Sequence, residues 1–226
     1  MKDAGRTSDR MIGRALAAEA VTKVRDVSGF GGEGMVSKLL SMLRRPDSFF
    51  EAVREEGYRQ PFRFLLEVSA VIALFTPIVN ALGWESTDRT STLQAQILAW
   101  RITEEELLPR LGAWAYVVEV PLILGLTPLI ALALAAFIHL VYRLLGGQGP
   151  FLNAWKATCY GVGPCVILGW IPYWSLFVGA WSLVLQLYYG PKVLYRMREG
   201  RAVVILALFL GATLLEFATK GTTVGF

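Results

Sequence analysis

Long apolar runs separated by short polar segments fill the chain from about residue 62 onwards. A bilayer core about 30 Å thick is crossed by roughly 20 apolar residues of helix. Runs near that length recur along the chain, and they predict membrane-spanning helices at 62–84, 112–145, 151–173, 175–195 and 202–219. The pattern therefore predicts an all-α, polytopic membrane protein with five transmembrane helices in a domain that covers residues 62–226.

The second of these runs is longer than a bilayer core requires. Residues 112–145 would extend about 50 Å as a straight helix, which is too short for two spans joined by a turn. We therefore predict one tilted helix that is kinked near Pro121 or Pro128.

Residues 1–61 differ from the rest of the chain because they are polar, with 11 Lys or Arg and 9 Asp or Glu. Apolar residues recur at helical spacing within 35–58, and Pro46 divides this stretch into two short amphipathic helices. Basic amphipathic helices that precede a span commonly lie on an anionic membrane surface. A small cytosolic helical cap is the alternative for this region.

The distribution of Lys and Arg predicts the orientation of the spans, since basic residues favour the cytoplasmic side. They concentrate in the N-terminal region, the 143–156 turn and the 191–201 loop, whereas the longer 85–111 loop is acidic. We therefore expect a cytoplasmic N-terminus and a C-terminus outside.

The amino-acid composition excludes further classes of function. The chain is 54% hydrophobic and 18% charged, against about 25% charged residues in a typical soluble domain. Its net charge of +4 comes from basic residues at span ends, so we expect no nucleic-acid partner. One histidine and two cysteines, Cys159 and Cys165, do not make a tetrahedral zinc site, and no Ser–His–acid set is evident. We predict no enzyme, no cofactor and no metal.

Ionisable residues inside predicted spans are costly and are candidates for function. Glu67 and His139 are predicted at matching depth near the cytoplasmic side, where adjacent antiparallel helices would bring them together. They would form a proton-responsive or cation-binding pair. The alternatives are an interhelical hydrogen bond, or a Glu67 side chain that extends to the membrane interface. Glu119 would lie in the outer part of its span, facing a cavity or the headgroups. These three residues suggest a second function, a small transporter or permeability protein.

Glycines and prolines mark a sharp turn between two apolar runs in "RLLGGQGPF", residues 143–151. A phosphate-binding loop would require a preceding strand and a Lys followed by Ser or Thr, which are missing here. We predict instead that Gly146 and Gly147 end one helix and that Pro150 starts the next. Gly161, beyond this turn, is predicted to permit close helix packing, within the chain or in a homo-oligomer.

Three short motifs resemble the Yip domain family of five-span membrane proteins. They are P-x-x-F-F at Pro46, Phe49 and Phe50, GG-x-G-x-F at Gly146, Gly147, Gly149 and Phe151, and a tyrosine followed by a proline at Tyr160 and Pro164. Eukaryotic members interact with Rab-type GTPases and carry an element similar to D-L-Y-G-P before the first span. That element is missing here, so the resemblance is closer to the prokaryotic branch.

The resemblance implies a non-catalytic protein of a prokaryotic plasma membrane. Such a protein would organise membrane or dock partners on its cytoplasmic side. We expect its partners to be membrane lipids and a cytoplasmic protein that binds residues 1–61 and the 191–201 loop.

Overall fold

The computed structural model describes residues 34–81, 101–164 and 174–221, and every regular element within these ranges is helical. The α-helices are α1 (Met35–Arg44), α2 (Pro46–Ala52), α3 (Arg59–Ala81), α4 (Leu108–Leu111), α5 (Ala115–Leu144), α6 (Phe151–Gly161), α7 (Trp174–Val184) and α8 (Glu199–Gly221). Short 3-10 turns lie at Val53–Glu55 and Gly112–Trp114, and π-helical segments at Thr103–Leu107 and Leu185–Leu194. The expected all-α class is confirmed.

Two stretches of the described chain are long and apolar enough to cross a membrane, Arg59–Ile78 and Thr103–Leu144. They correspond to the first two predicted spans. Only 28% of the most apolar part of the second stretch is buried against protein, so most of its side chains face outward. Large apolar side chains such as Leu129, Phe137 and Leu140 are exposed there. A surface of this kind suits lipid rather than water.

The remaining predicted spans correspond to helices with different boundaries. The third begins at Phe151 as predicted, and its residues 165–173 lie outside the described part of the chain. The fourth consists of α7 and the π-helical segment Leu185–Leu194, and the fifth corresponds to α8.

Pro46 separates α1 from α2, as the sequence predicted, because it occupies the first position of α2 and lacks the N–H that would continue α1. Both helices pack into the main hydrophobic core. Leu39, Met42, Phe49 and Phe50 are each at most 3% exposed. The N-terminal helices are therefore part of the bundle, and we call residues 35–56 the strap.

Helix α6 lies at the centre of the bundle. Each residue from Asn153 to Gly161 is buried, and α3, α5 and the segment Leu185–Leu194 pack around it. Gly161 packs against the side chain of Gln186, and Gly190 faces Ala157. The predicted close packing at Gly161 is confirmed within the chain.

The second half of the predicted fourth span is π-helical, which the apolar pattern did not indicate. Pro191 lies inside the segment Leu185–Leu194 and has no N–H to donate to the preceding turn. A wider π turn accommodates such a missing bond, and π turns are frequent at functional sites. Gln186, at its start, accepts a hydrogen bond from the Tyr142 hydroxyl on α5 through its backbone carbonyl.

The turn between α5 and α6 is confirmed. Gly146 has a φ of +83°, a conformation that suits glycine, and the Gly147 N–H donates to the Tyr142 carbonyl over 2.8 Å. Pro150 immediately precedes α6. The Arg201 guanidinium donates to the Leu145 carbonyl over 3.1 Å and so links the turn to α8.

We predict that Gly190→Ala destabilises the bundle. A Cβ atom at position 190 would lie 2.8 Å from the Cβ of Ala157, which has no rotamer to move into. Overpacking of this kind costs about 1–3 kcal/mol. The midpoint of thermal unfolding in detergent should fall by roughly 2–4 °C for each kcal/mol.

Gly125→Ala on α5 is the matched control, because a Cβ there meets no atom within 4 Å. It should leave the midpoint unchanged or raise it slightly, since Ala favours helix over Gly. Equal unfolding midpoints for the two variants would contradict the close contact between α6 and the π-helical segment.

Candidate functional site

The three candidate intramembrane polar residues have separate neighbours in the structure. Glu67 on α3 accepts a hydrogen bond of 2.8 Å from Arg63 one turn earlier, and its side chain is 39% exposed. His139 on α5 shares a hydrogen bond with the Tyr195 hydroxyl. The expected contact between Glu67 and His139 is therefore replaced by two other pairs.

Glu119 is buried on α5, the same helix as His139. Twenty residues of helix separate the two, which corresponds to about 30 Å along the axis. One small site does not include both side chains. Glu67 and His139 thus have different hydrogen-bond partners, and Glu119 lies far along α5 from His139.

Several family-motif residues take part in aromatic contacts within the bundle. The rings of Phe49 and Tyr160 meet edge to face, with centroids 5.1 Å apart, and Phe50 packs against Phe49 in the same way. Phe151 at the start of α6 contacts the His139 ring at 5.7 Å. Pro164 is buried at the end of the described part of its span.

A polar cluster joins the strap to the centre of the bundle next to these aromatic rings. The Tyr160 hydroxyl on α6 donates to one carboxylate oxygen of Glu56. The other oxygen lies 3.5 Å from the Lys38 ammonium group, which also lies 5.4 Å from the centroid of the Tyr160 ring. Since Lys38 and Glu56 are only 12% and 15% exposed, this ion pair is largely shielded from water.

Lys156 makes the second contact between α6 and the strap. Its side chain is 1% exposed, and its ammonium group donates a hydrogen bond of 2.6 Å to the Arg54 carbonyl. A buried ammonium group requires such partners, because removing it from water is otherwise costly. From the sequence, Lys156 was expected only as a basic residue at the end of the 143–156 turn, and Glu56 was not expected in any site. The feature that pointed to Lys156 was its position, because it is a charged residue inside the predicted span 151–173.

The strap also contacts the end of the π-helical segment. Asp47 lies 3.3 Å from the Lys192 ammonium group, which in turn lies over the ring of Tyr188 at 5.3 Å. The Tyr188 hydroxyl donates to Glu199 at the start of α8. These contacts hold the strap against the 191–201 loop.

A third set of hydrogen bonds fixes the loop to the glycine turn. The Asn153 amide donates to the Leu194 carbonyl over 2.8 Å, and the Gln148 N–H donates to the Tyr195 carbonyl over 3.2 Å. The Tyr195 hydroxyl also donates to the Pro150 carbonyl. These three hydrogen bonds hold the loop next to the turn, and the two segments form one surface.

The described residues contain no group of three or more His, Cys, Asp or Glu side chains that fits a metal ion. The polar side chains of the candidate site instead bind backbone carbonyls and one another. Chemically, the arrangement holds the strap, the turn and the loop in a fixed relation to each other. We call this assembled region, formed by residues 35–56, 143–149 and 191–201, the basic end.

We predict that Tyr160→Phe destabilises the protein, because Glu56 loses its shielded donor while the aromatic contacts remain. Hydrogen bonds to charged groups contribute about 1.5–3 kcal/mol. The thermal unfolding midpoint in detergent measures this loss, and Tyr58→Phe is the control, since Tyr58 is 55% exposed. In a double-mutant cycle with Glu56→Gln, additive losses would contradict a direct interaction.

Comparison with known proteins identifies the family of the chain. The family model described as the Yip1 domain matches residues 40–218, which is well over half of the chain and includes every motif residue discussed above. No curated protein and no solved structure matches the chain significantly. The extent of the family match is sufficient for assignment, and the chain belongs to the Yip1 domain family of membrane proteins.

Proposed function

We propose that this protein is a non-catalytic, five-span protein of a prokaryotic plasma membrane whose basic end is a docking surface for a cytoplasmic protein. The observation that carries the proposal is the assembly of the strap, the glycine turn and the 191–201 loop into one fixed surface. In this proposal the N-terminus is cytoplasmic and the C-terminus lies outside.

Ring contacts between α3 and α6 support the topology. Phe62 stacks on Trp155 with centroids 6.3 Å apart, and Phe64 packs against Tyr160 at 5.1 Å. Phe62 and Trp155 each lie near the start of their helix, and the contact of Phe64 with Tyr160 follows further along both helices, so the two helices run in the same direction. This direction supports a topology in which the N-terminal region and the glycine turn lie on the same side of the membrane.

Exposed arginines support the choice of the basic end as a docking surface. Arg143, Arg196, Arg198 and Arg201 are all exposed, and contacts between the turn and the loop bring their segments together. Arginine is suited to recognising carboxylates, because its planar guanidinium presents paired donors. A partner that presents an acidic surface fits this end of the molecule.

The 191–201 loop, which carries three of these arginines, has a defined backbone. Arg196 has a φ of +50°, which is uncommon for a residue other than glycine, and the Met197 N–H donates to the Pro191 carbonyl over 3.1 Å. A non-glycine residue in this conformation persists only where the surroundings impose it. The loop therefore presents its arginines from a preformed shape.

Transport has less support from the geometry. Glu67 and His139 pair with different side chains, and Glu119 lies about 30 Å along α5 from His139. We therefore propose docking, and we restrict the role of these three residues to local packing and pairing.

The docking proposal predicts a stoichiometric protein partner when the full chain is purified from native membranes in mild detergent. Arg196→Ser with Arg198→Ser should reduce the recovered partner at least tenfold, corresponding to about 1.4 kcal/mol. Arg101→Ser with Arg110→Ser is the matched control, because both residues are exposed on the proposed outer side. Recovery of lipid alone, or equal recovery with both double variants, would contradict docking through the loop.

The topology predicts opposite labelling at two positions. In intact cells, a membrane-impermeant maleimide should label Arg110→Cys at once and Arg198→Cys only after permeabilisation. The unsubstituted chain corrects for Cys159, which is buried, and for Cys165. Labelling of Arg198→Cys in intact cells would overturn the proposed orientation.

A further inference from the structure

Helix α1 carries more apolar surface than the bundle covers. Leu39 and Met42 are buried against the core, whereas Val36, Leu40 and Leu43 are 62%, 45% and 49% exposed. Apolar side chains exposed singly are ordinary, but three on one short helix form a surface that calls for an occupant.

The exposed side chains form one stripe along the helix. Val36, Leu40 and Leu43 are spaced by four and three residues, which places them on the same side of an α-helix. With about 100° of rotation per residue, this stripe lies about a quarter turn from the face of Leu39 and Met42. A polar face lies a further quarter turn around the helix, on the side of the stripe away from the bundle, and is formed by Ser37, Ser41 and Arg44. Helix α1 thus has a bundle face, a free apolar face and a polar face.

The position of α1 relative to the first candidate span favours a membrane surface. Leu39 and Phe64 pack together against Gly163, and Phe64 lies five residues after the start of α3. This distance corresponds to about 8 Å along the helix axis. Headgroup layers add about 5–8 Å on each side of the hydrocarbon core. If α3 enters the membrane near Arg59, α1 packs at the boundary between headgroups and hydrocarbon.

The charged residues of α1 favour an anionic membrane surface as its partner. Arg44 and Arg45 are exposed at the C-terminal end of α1, and neither pairs with a carboxylate among the described residues. Basic side chains next to an inserted apolar face bind anionic headgroups. Lipid phosphate also matches the donor geometry of arginine.

A second copy of the chain fits this stripe less well. A two-fold interface centred on three side chains would be far smaller than the roughly 800 Å² per partner of a standard interface.

We propose that α1 is an interfacial helix that inserts Val36, Leu40 and Leu43 into the cytoplasmic leaflet and places Arg44 and Arg45 on the phosphates of anionic lipids. This inference rests on the cytoplasmic placement of the N-terminal region in the proposed function. It adds a lipid site on the outer face of the strap, whose inner face holds Tyr160 through Glu56.

Site-directed spin labelling of the full chain in vesicles tests the proposal. Leu40→Cys carries the label on the stripe, and Ser41→Cys carries it on the polar face of the same helix turn. The vesicles contain phosphatidylcholine with or without phosphatidylglycerol, and the unsubstituted chain corrects for labelling of Cys159 and Cys165. Collision rates with oxygen and with a water-soluble nickel chelate report the depth of each label.

We expect the label at position 40 to collide more with oxygen than with the chelate, and the label at position 41 to show the reverse. In vesicles without phosphatidylglycerol, the label at position 40 should become shallower. Arg44→Ser with Arg45→Ser should have the same effect in anionic vesicles.

Three results would overturn the proposal. Equal chelate access at positions 40 and 41 would show that the stripe faces water. Spin–spin broadening at position 40 that weakens on dilution with lipid would assign the stripe to a second copy. A depth that is insensitive to phosphatidylglycerol would remove the anionic lipid site. Each result is independent of protein docking, because these vesicles contain no partner protein. The topology is tested separately by the maleimide labelling, so a failure of one proposal can be distinguished from a failure of the other.

Discussion

Helix α6 is buried on all sides over Asn153–Gly161, so its polar side chains depend on hydrogen-bond partners inside the protein. Asn153, Lys156 and Tyr160 have such partners, whereas Trp155 Nε1 and Thr158 Oγ1 have none among the described residues. The strap supplies the Arg54 carbonyl for Lys156 and the Glu56 carboxylate for Tyr160. The end of the π-helical segment supplies the Leu194 carbonyl for Asn153. The requirement to satisfy these groups explains why an N-terminal segment packs into the core of an otherwise membrane-type bundle.

This constraint also explains why one end of the molecule is the better candidate for function. The contacts that satisfy α6 hold the strap and the 191–201 loop in place, and hydrogen bonds from the loop hold the glycine turn. Exposed arginines then project from a rigid support rather than from independent loops. A docking surface that is already ordered loses less conformational entropy on binding. The proposed docking and the proposed lipid contact are compatible, because they would use different faces of the same region.

Local features of the chain were predictable because each depends on neighbouring residues. Apolar runs gave the helices, Pro46 gave the boundary between α1 and α2, and Gly146 gave the turn before α6. The π-helical segment was missed, since the apolar pattern does not show how the backbone accommodates Pro191. Sequence comparison with known motifs identified Phe49 and Tyr160, but their direct contact is a tertiary result.

The candidate site itself was only partly predictable. Glu56 and Tyr160 are 104 residues apart in the chain, and only the packing of helices brings them together. Glu67 and His139 were expected to pair because both were predicted at the same depth in the membrane. Depth alone does not determine how each helix is rotated about its axis. In the structure Glu67 pairs with Arg63 on its own helix, and His139 faces Tyr195.

The central claim is that the strap is an integral part of the bundle. Hydrogen–deuterium exchange of the full chain in lipid nanodiscs tests it most directly, because exchange reports how often each backbone N–H opens to water. The account predicts that amides of residues 39–53 are protected to a degree comparable with those of α6. Exchange of these amides at the rate of an unstructured peptide, with α6 still protected, would contradict it.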